Sequence, residues 1–492
     1  MHIGIRSDST IQSRRRMPRI FLLSAMTIVA HGCASPRVDS APAPDAAPRA
    51  GWTQYASPED AGFSSDRLAK AYAYADSVRS GAVMVVYRGT VVAAWGDVSR
   101  KLELHSVRKS IVSALFGIAA ARKEISLDKT LGDLRISDRV PLTSLEQSAR
   151  VRDLLAARSG VYLPAAYADI SQDQERPQRF SHTPNTFWFY NNWDFNTLGT
   201  IYEQAVDSSL FRSLDARLAR PLGMEDFTSA DGFEVYEPTN SIHPAHTIRM
   251  STRDLARFGQ LYLQDGQWNG RQVVPRAWVA ESTTPKSDAG SPRRGYGYLW
   301  WTQAAGASAS YPEVDRRNLF YGSGTGGQLV AVIPSDDLVI VHRGDTDHGR
   351  NVSGRDAWRI VELILEARTG VGTTSGQRVS LAPVALPSQL PPVTTPTYVS
   401  MDAASMAQLI GDYEIAPNTS VRIFEFRGRL FGNFPGQGEA ELFGLTRNDF
   451  TIRVQAGVRI TFERDASGRA IAFQAQIGPQ RARGVRSGAR PQ

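Results

Sequence analysis

A serine followed three residues later by a lysine occurs twice in this chain, at Ser106-Val107-Arg108-Lys109 and at Ser126-Leu127-Asp128-Lys129. On a helix, positions i and i+3 share a face, so an amine at that spacing reaches the hydroxyl. A serine hydroxyl is a weak nucleophile until a neighbouring base takes its proton. Lysine becomes that base once burial or a nearby cation lowers its pKa. The two copies differ in their C-terminal neighbours. The first leads straight into the apolar run SIVSALFGIAAA, which places it against a core, with Ser106 opening a helix. The second sits in a polar stretch with Asp128 beside Lys129. Ser126 there reads as a turn or cap residue and serves as an internal control. Only six of the 56 basic residues are lysines, so a lysine inside a motif carries weight.

Two further groupings carry chemistry. Tyr190-Asn191-Asn192 lies within FWFYNNWDFNTLG. A tyrosine beside a lysine relays a proton to a leaving group, and the amide of Asn192 has the groups to hold both a lysine amine and a substrate carbonyl. An aromatic core patch is the competing reading, because Phe187, Trp188, Phe189 and Trp193 flank the pair. The run from Gly322 through Ser323, Gly324, Thr325, Gly326 and Gly327 to Gln328 precedes the strand-like QLVAVIP. Glycines there let a strand edge approach a ligand closely. A backbone amide from that edge can stabilise an oxyanion opposite the amide of Ser106.

These residues need a scaffold, and the patterning describes one. Ser65 to Val78 has helical apolar spacing behind the cap candidates Ser64 and Ser65. AVMVVY (82–87) and VVAAWG (91–96) read as a hairpin, and a helix is expected from Ser106 to about Ala121. Residues 125–275 read as helices and loops. Strands are expected at YGYLWW (296–301), QLVAVIP (328–334) and LVIVHRG (338–344), then a helix from about Arg355 to Ala367. Strands at both ends with helices inserted between them predict an α+β domain with an antiparallel sheet over residues 51–370. Residues 371–398 are proline-rich and read as a linker. Within 399–492, the segments SVRIFEF, RLFGNF, EAELFGL, FTIRV and RITFERD alternate in polarity, which predicts a small all-β barrel.

The N-terminal 33 residues have the layout of a secretory signal. Arg14, Arg15, Arg16 and Arg19 precede the apolar run IFLLSAMTIVA, and small residues Ala30 and Gly32 lead into Cys33. The apolar run is too short to span a bilayer. A cleavage site ending at cysteine resembles a lipobox, although His31 departs from the usual small residue. Cys33 is therefore the expected lipidation site, and an exported, lipid-anchored protein on the periplasmic face of the outer membrane is the expected fate. Residues 34–50, rich in alanine and proline, read as a flexible tether. Cys33 is also the sole cysteine, which excludes an intramolecular disulfide framework and a cysteine metal cluster.

The composition narrows the partners. Apolar residues make up 42% and charged residues 21%, as in an ordinary globular protein. The net charge of +7 is weak for 492 residues and lies partly at the termini. No basic helix or aromatic-interleaved stripe is present, so nucleic acid is not an expected partner. There is no Gly-x-Ser-x-Gly elbow and no His-Glu-x-x-His motif. His342, Asp345, Asp347 and His348 cluster in sequence but match no metal-ligand template, and neither a metal nor a cofactor is expected.

The order and spacing of the three groupings resemble those of the class C β-lactamase-like, penicillin-recognising serine hydrolases. That group includes DD-peptidases, carboxylesterases and hydrolases of 6-aminohexanoate oligomers. VRDLLAARSG (151–160), HTIRMSTRDLARFGQLYLQDGQW (246–268) and GYGYLWW (295–301) have the same look, and the last segment resembles the lipocalin-like barrel appended to such enzymes. The resemblance implies the β-lactamase/transpeptidase-like fold. It implies Ser106 as nucleophile, Lys109 as its base and Tyr190 as general acid/base assisted by Asn192. It implies an oxyanion hole from the amides of Ser106 and Thr325, beside Ser323 and Gly324. The sequence departs at Gly322, where β-lactamases and peptidases of the group carry Lys or His. Without that cation the expected substrate is a less charged ester or amide, small or peptide-like. A β-lactam, a D-Ala-D-Ala peptide or a D-aminopeptidase substrate is the alternative, and a non-catalytic envelope-binding module is the second. His105, beside the nucleophile, either tunes the site or packs.

Overall fold

A computed structural model describes residues 51–488, apart from 292, 307–309, 371, 373–375, 395, 437, 454–456 and 478. The signal segment, Cys33 and the 34–50 tether lie outside the described residues. The described residues belong to one compact unit.

The run SGAVMVVY is apolar at nearly every position because its strand, Ser80–Tyr87, is buried on both faces. Side chains alternate along a strand. Val83, Val85 and Tyr87 therefore face one core, against the helices Ser65–Ser77 and Gly354–Glu366. Ala82, Met84 and Val86 face the other, against Arg108–Ala121 and Thr252–Leu263. Ser64 and Ser353 cap the two outer helices by accepting a backbone N–H three residues on.

This strand is the fourth of ten in one sheet. In spatial order the strands are Arg378–Ser380, Thr53–Tyr55, Thr90–Gly96, Ser80–Tyr87, Leu338–Gly344, Gln328–Ile333, Leu319–Gly324, Trp301–Gln303, Arg294–Tyr296 and Ser287–Ser291. The ladders are antiparallel except where Thr53–Tyr55 runs parallel to Thr90–Gly96. The predicted α+β architecture is the observed one: the sheet lies between an outer helical layer and a larger helical region inserted between its strands. Among the described residues, no helix is long and apolar enough to cross a membrane.

Three expectations differ from the structure. YGYLWW is not one strand: Arg294–Tyr296 and Trp301–Gln303 pair with each other across a tight turn. Gly297 donates to the Trp300 carbonyl at 2.8 Å, Leu299 takes φ +63, and Trp300 is buried against Phe258 and Phe320. The core claims Trp300, and the chain bends to deliver it. EAELFGL likewise splits into Gly438–Glu441 and Phe443–Gly444. The proline-rich stretch is docked rather than free. Arg378–Ser380 extends the main sheet, Leu386 is buried, and the Ala385 carbonyl accepts from Tyr72.

Beyond residue 399 a nine-stranded antiparallel sheet surrounds its own core of Tyr413, Ile423, Phe450, Phe462 and Phe473. Its two edge strands are the split halves of EAELFGL, joined through the buried Leu442. The sheet therefore curls until its edges are neighbours in sequence, a nearly closed barrel. It meets the first body at the 232–250 hairpin. Glu439 accepts from the Thr239 amide at 2.6 Å, Arg429 reaches Glu234 at 3.1 Å, and Phe426 packs on Tyr236.

Candidate active site

The segment that carries Ser106 starts from two buried residues, Leu102 and Glu103, paired with Met250 and Arg249. Arg343, fully buried, donates to the carbonyls of Leu102, Glu103 and Met250 and to Gln328. Burial pulls its pKa down to about 9, which leaves it charged at neutral pH. A guanidinium with no carboxylate at hydrogen-bond distance among the described residues thus fixes the backbone just before Ser106. His105–Val107 forms a 3-10 turn that runs into the helix Arg108–Ala121. The helix proper therefore starts two residues later than the pattern predicts. Ser106 lies on its approach, and its hydroxyl does not cap the helix.

Lys109, 3% exposed, sends its Nζ 2.8 Å to Ser106 Oγ and 2.8 Å to Tyr190 Oη. Burial drives the lysine pKa well below its usual value, and the neighbouring Arg108 charge pushes the same way, against Asp169. The amine also lies over the rings of Tyr190 and Phe195, at 4.5 and 4.7 Å. Burial raises the Tyr190 phenol to about 12, only partly offset by Ser106 and Arg108. The trio thus combines a hydroxyl, an amine biased to neutrality and a phenol that keeps its proton (conditions for moving one proton along a line).

Tyr190 is held by an aromatic box. Phe195, Trp301 and Tyr296 lie 4.9, 5.4 and 5.9 Å from it by ring centroids. Beside it, Asn191 caps the helix Asn192–Val206 by accepting from the Trp193 amide, and it donates to the Val161 carbonyl and to Asp194. Asn192 departs from expectation. Its amide donates to the Tyr167 carbonyl at 2.6 Å rather than engaging Lys109. The reason is placement: it opens the helix facing the 161–167 loop, while Tyr190 alone faces the lysine. Asn192 Oδ1 is buried without a hydrogen-bond partner among the described residues.

The glycine-rich strand comes in from the other side. A Cβ on Gly324 would lie 2.9 Å from the Ser106 nitrogen, so only glycine lets this edge lie against Ser106. Ser323 is partly exposed and Thr325 exposed beside it. Gly322 faces the segment after Ser106, where a Cβ would sit 3.0 Å from Ser110 Oγ and 3.3 Å from Val107. That crowding leaves little room for a longer side chain at the position.

His105 has a defined place. Tyr167 donates to Glu103 at 2.7 Å and so accepts from His105 Nδ1 at 2.9 Å; His105 Nε2 then accepts from Thr346 at 3.1 Å. Burial lowers the imidazole pKa, in keeping with that neutral form. Its φ of +46 is a left-handed conformation unusual for a histidine, held where the chain turns into Ser106. The sequence does not mark Tyr167, Glu103 and Thr346 as site residues, nor Phe195 and Tyr296 as walls. Aromatic content is the available signal for the last two, but no local pattern marks the first three. The 342–348 cluster is taken up by other contacts. Asp345 pairs with Arg100 and His348, Asp347 with Arg249 and Arg100, and His342 contacts Ser80 and the Gly327 carbonyl.

A cleft of about 740 Å³ opens beside His105 and Thr346. Its far wall comes from the proline-rich segment and the barrel, including Pro392, Tyr398, Thr451 and Arg453. The second Ser-x-x-Lys copy is elsewhere. Ser126 and Lys129 are exposed, linked only by a 3.4 Å backbone turn bond, and Asp128 pairs with Arg152 at 2.8 Å.

A family model described as Beta-lactamase matches residues 65–362. Among solved structures, the chain is similar to an octameric penicillin-binding protein homologue from Pyrococcus abyssi. That match has 14% identity and a TM-score of 0.46, and covers 85% of this chain and 99% of that one. It is also similar to a β-lactamase from Mycobacterium bovis, with 22% identity, TM-score 0.42 and coverage of 59% and 96%. A penicillin-binding protein from Bacillus halodurans matches with 14% identity, TM-score 0.44 and coverage of 59% and 99%. No curated protein matches the chain.

Proposed function

Because this chain belongs to the β-lactamase family, serine hydrolases of the transpeptidase and β-lactamase type, we propose that it cleaves an ester or amide through an acyl-enzyme on Ser106. The observation that carries the reading is the position of Lys109 Nζ, 2.8 Å from both Ser106 Oγ and Tyr190 Oη. Neutral Lys109 takes the hydroxyl proton as Ser106 attacks the carbonyl carbon. The amides of Ser106 and Thr325 stabilise the oxyanion. Tyr190 gives its proton to the leaving group and is reprotonated by Lys109. Water then attacks the acyl-enzyme by the reverse proton path, releasing the acid and free Ser106. Asn192 serves by fixing the 161–167 loop rather than by touching the lysine.

Gly322 favours an ester or amide over a β-lactam or D-Ala-D-Ala peptide, because no cation stands there to grip a substrate carboxylate. A fluorophosphonate probe and a fluorescent penicillin, applied side by side, test this. The expected outcome is strong fluorophosphonate labelling with weak penicillin labelling, and a mass-spectrometric adduct on Ser106. An adduct elsewhere refutes the mechanism; equal or stronger penicillin labelling refutes the substrate class.

Export and anchoring through Cys33 form a second, separate part of the proposal, resting on the apolar run that ends at that cysteine. Metabolic labelling with a palmitate analogue should be seen in the full chain and be lost in Cys33→Ala. Because Ala34 follows the cysteine rather than aspartate, outer-membrane sorting is the expected fate in a diderm host.

A further inference from the structure

We propose that Glu203, Glu234 and His246 form a binding site for one divalent transition cation of the zinc class, at the seam between the first body and the barrel. Glu203 lies near the end of the helix Asn192–Val206, and Glu234 and His246 are cross-strand partners in Gly232–Val235 and Ala245–Met250. One ligand atom from each residue falls within 4.8 Å of the others. Glu203 is eleven positions along the helix from Asn192, about 16 Å at the usual rise per residue, so this is not the Ser106 site.

His246 is the central ligand. His246 is 4% exposed, and neither ring nitrogen has a hydrogen-bond partner among the described residues. Its Nε2 is aimed between two carboxylates, 3.5 Å from Glu203 Oε2 and 4.0 Å from Glu234 Oε1. A charged imidazole held by a carboxylate closes to about 2.7–2.9 Å. Neighbouring ligands on a tetrahedral zinc, each about 2.0–2.1 Å from the metal, stand about 3.4 Å apart. Both contacts are longer than such a bond, with Glu203 at ion-pair distance, and the three ligand atoms, within 4.8 Å of one another, would draw together by up to about 1.4 Å to become a tetrahedral ligand set.

The surroundings orient all three groups. Glu203 Oε1 accepts from the Leu210 amide at 2.8 Å, which turns Oε2 to the histidine. Glu234 Oε2 accepts from the Tyr236 hydroxyl at 3.0 Å and from Arg429 of the barrel at 3.1 Å, which turns Oε1 the same way. Supporting donors that fix one carboxylate oxygen and present the other are how proteins hold metal ligands. Gly199 lets the imidazole lie against the helix, since a Cβ there would fall 2.3 Å from Nδ1. The two glutamates are partly exposed, at 27% and 21% of their side chains, so water can complete the coordination. A bound cation would tie the end of this helix to the hairpin that Arg429 also grips.

The test uses the metal-stripped full chain, titrated with Zn²⁺ by calorimetry and with Co²⁺ by visible absorption. One equivalent should bind at micromolar concentration or tighter, Co²⁺ should give the intense bands of a four-coordinate site, and Tm should rise by a few degrees at saturation. His246→Gln and Glu203→Gln should each weaken binding by about tenfold or more. Glu203→Gln is nearly isosteric and stands as the check if His246→Gln fails to fold. Cys33→Ala should bind as the parent does. A parent chain that binds no equivalent of Zn²⁺ overturns the assignment. So does binding that both Gln variants leave unchanged, or binding that Cys33→Ala removes.

Discussion

The two Ser-x-x-Lys copies share a local pattern and nothing else. At the first, Lys109 is 3% exposed, boxed by Tyr190 and Phe195, and hydrogen-bonded to Ser106. At the second, Ser126 and Lys129 are exposed, and the nearest charged partner of the segment is the surface pair of Asp128 with Arg152. The spacing brings a serine and a lysine near each other in both. Only at the first copy is the lysine desolvated, and desolvation is the largest effect that biases its amine toward the neutral form a base needs. A lysine in water stays charged and cannot accept a proton.

The sharpest way to break this comparison is to remove each hydroxyl. Ser106→Ala should cut hydrolysis of a p-nitrophenyl ester by about 10⁴-fold or more, and Lys109→Ala with the double variant should fall equally low, since the pair acts as a unit. Ser126→Ala should keep parental activity. Full activity in Ser106→Ala would remove the distinction between the copies.

The next effect concerns the scaffold that only the first copy has. Arg343→Met leaves the carbonyls of Leu102, Glu103 and Met250 buried without their donor. A loss of about 2–4 kcal/mol in unfolding free energy is expected by denaturant titration. A loss below about 0.5 kcal/mol would show that the carbonyls find other donors.

The pH profile then sharpens what burial does. Lys109 must be neutral to act, so activity should fall as pH drops through its lowered pKa and rise again above it. Tyr190, pushed up to about 12, keeps its proton across that range and adds no alkaline limb below about pH 11. Arg108 helps hold the lysine pKa down, so removing that charge raises it. Arg108→Gln should therefore move the acid limb of kcat/KM to higher pH. A limb that stays in place would mean burial alone sets it.

The smallest effect lies at the second copy. Asp128→Asn removes an ion pair whose side chains are 64% and 38% exposed, so stability should change by no more than about 0.5 kcal/mol and activity not at all. A larger change would mean that this turn is more than a surface feature.

Residue spacing put Lys109 within reach of Ser106, but the same spacing recurs at Ser126 and Lys129, and it was the resemblance in order and spacing to the penicillin-recognising hydrolases that joined Tyr190 to the first pair. Strand alternation was enough to separate an α+β body from an all-β one, since burial on one or two faces writes itself into polarity. Tertiary structure decided the rest. Asn192 and Tyr190 are two positions apart, yet only one faces Lys109, because the helix begins between them. YGYLWW has the composition of a strand, but the core pulls Trp300 inward and bends the chain. The prolines of 371–398 signal extended backbone, and whether such backbone hangs free or docks depends on an open sheet edge that lies hundreds of residues earlier. Glu203, Glu234 and His246 show no motif at all. Their meeting depends on how a helix end and a hairpin pack, a long-range contact that no sequence period records.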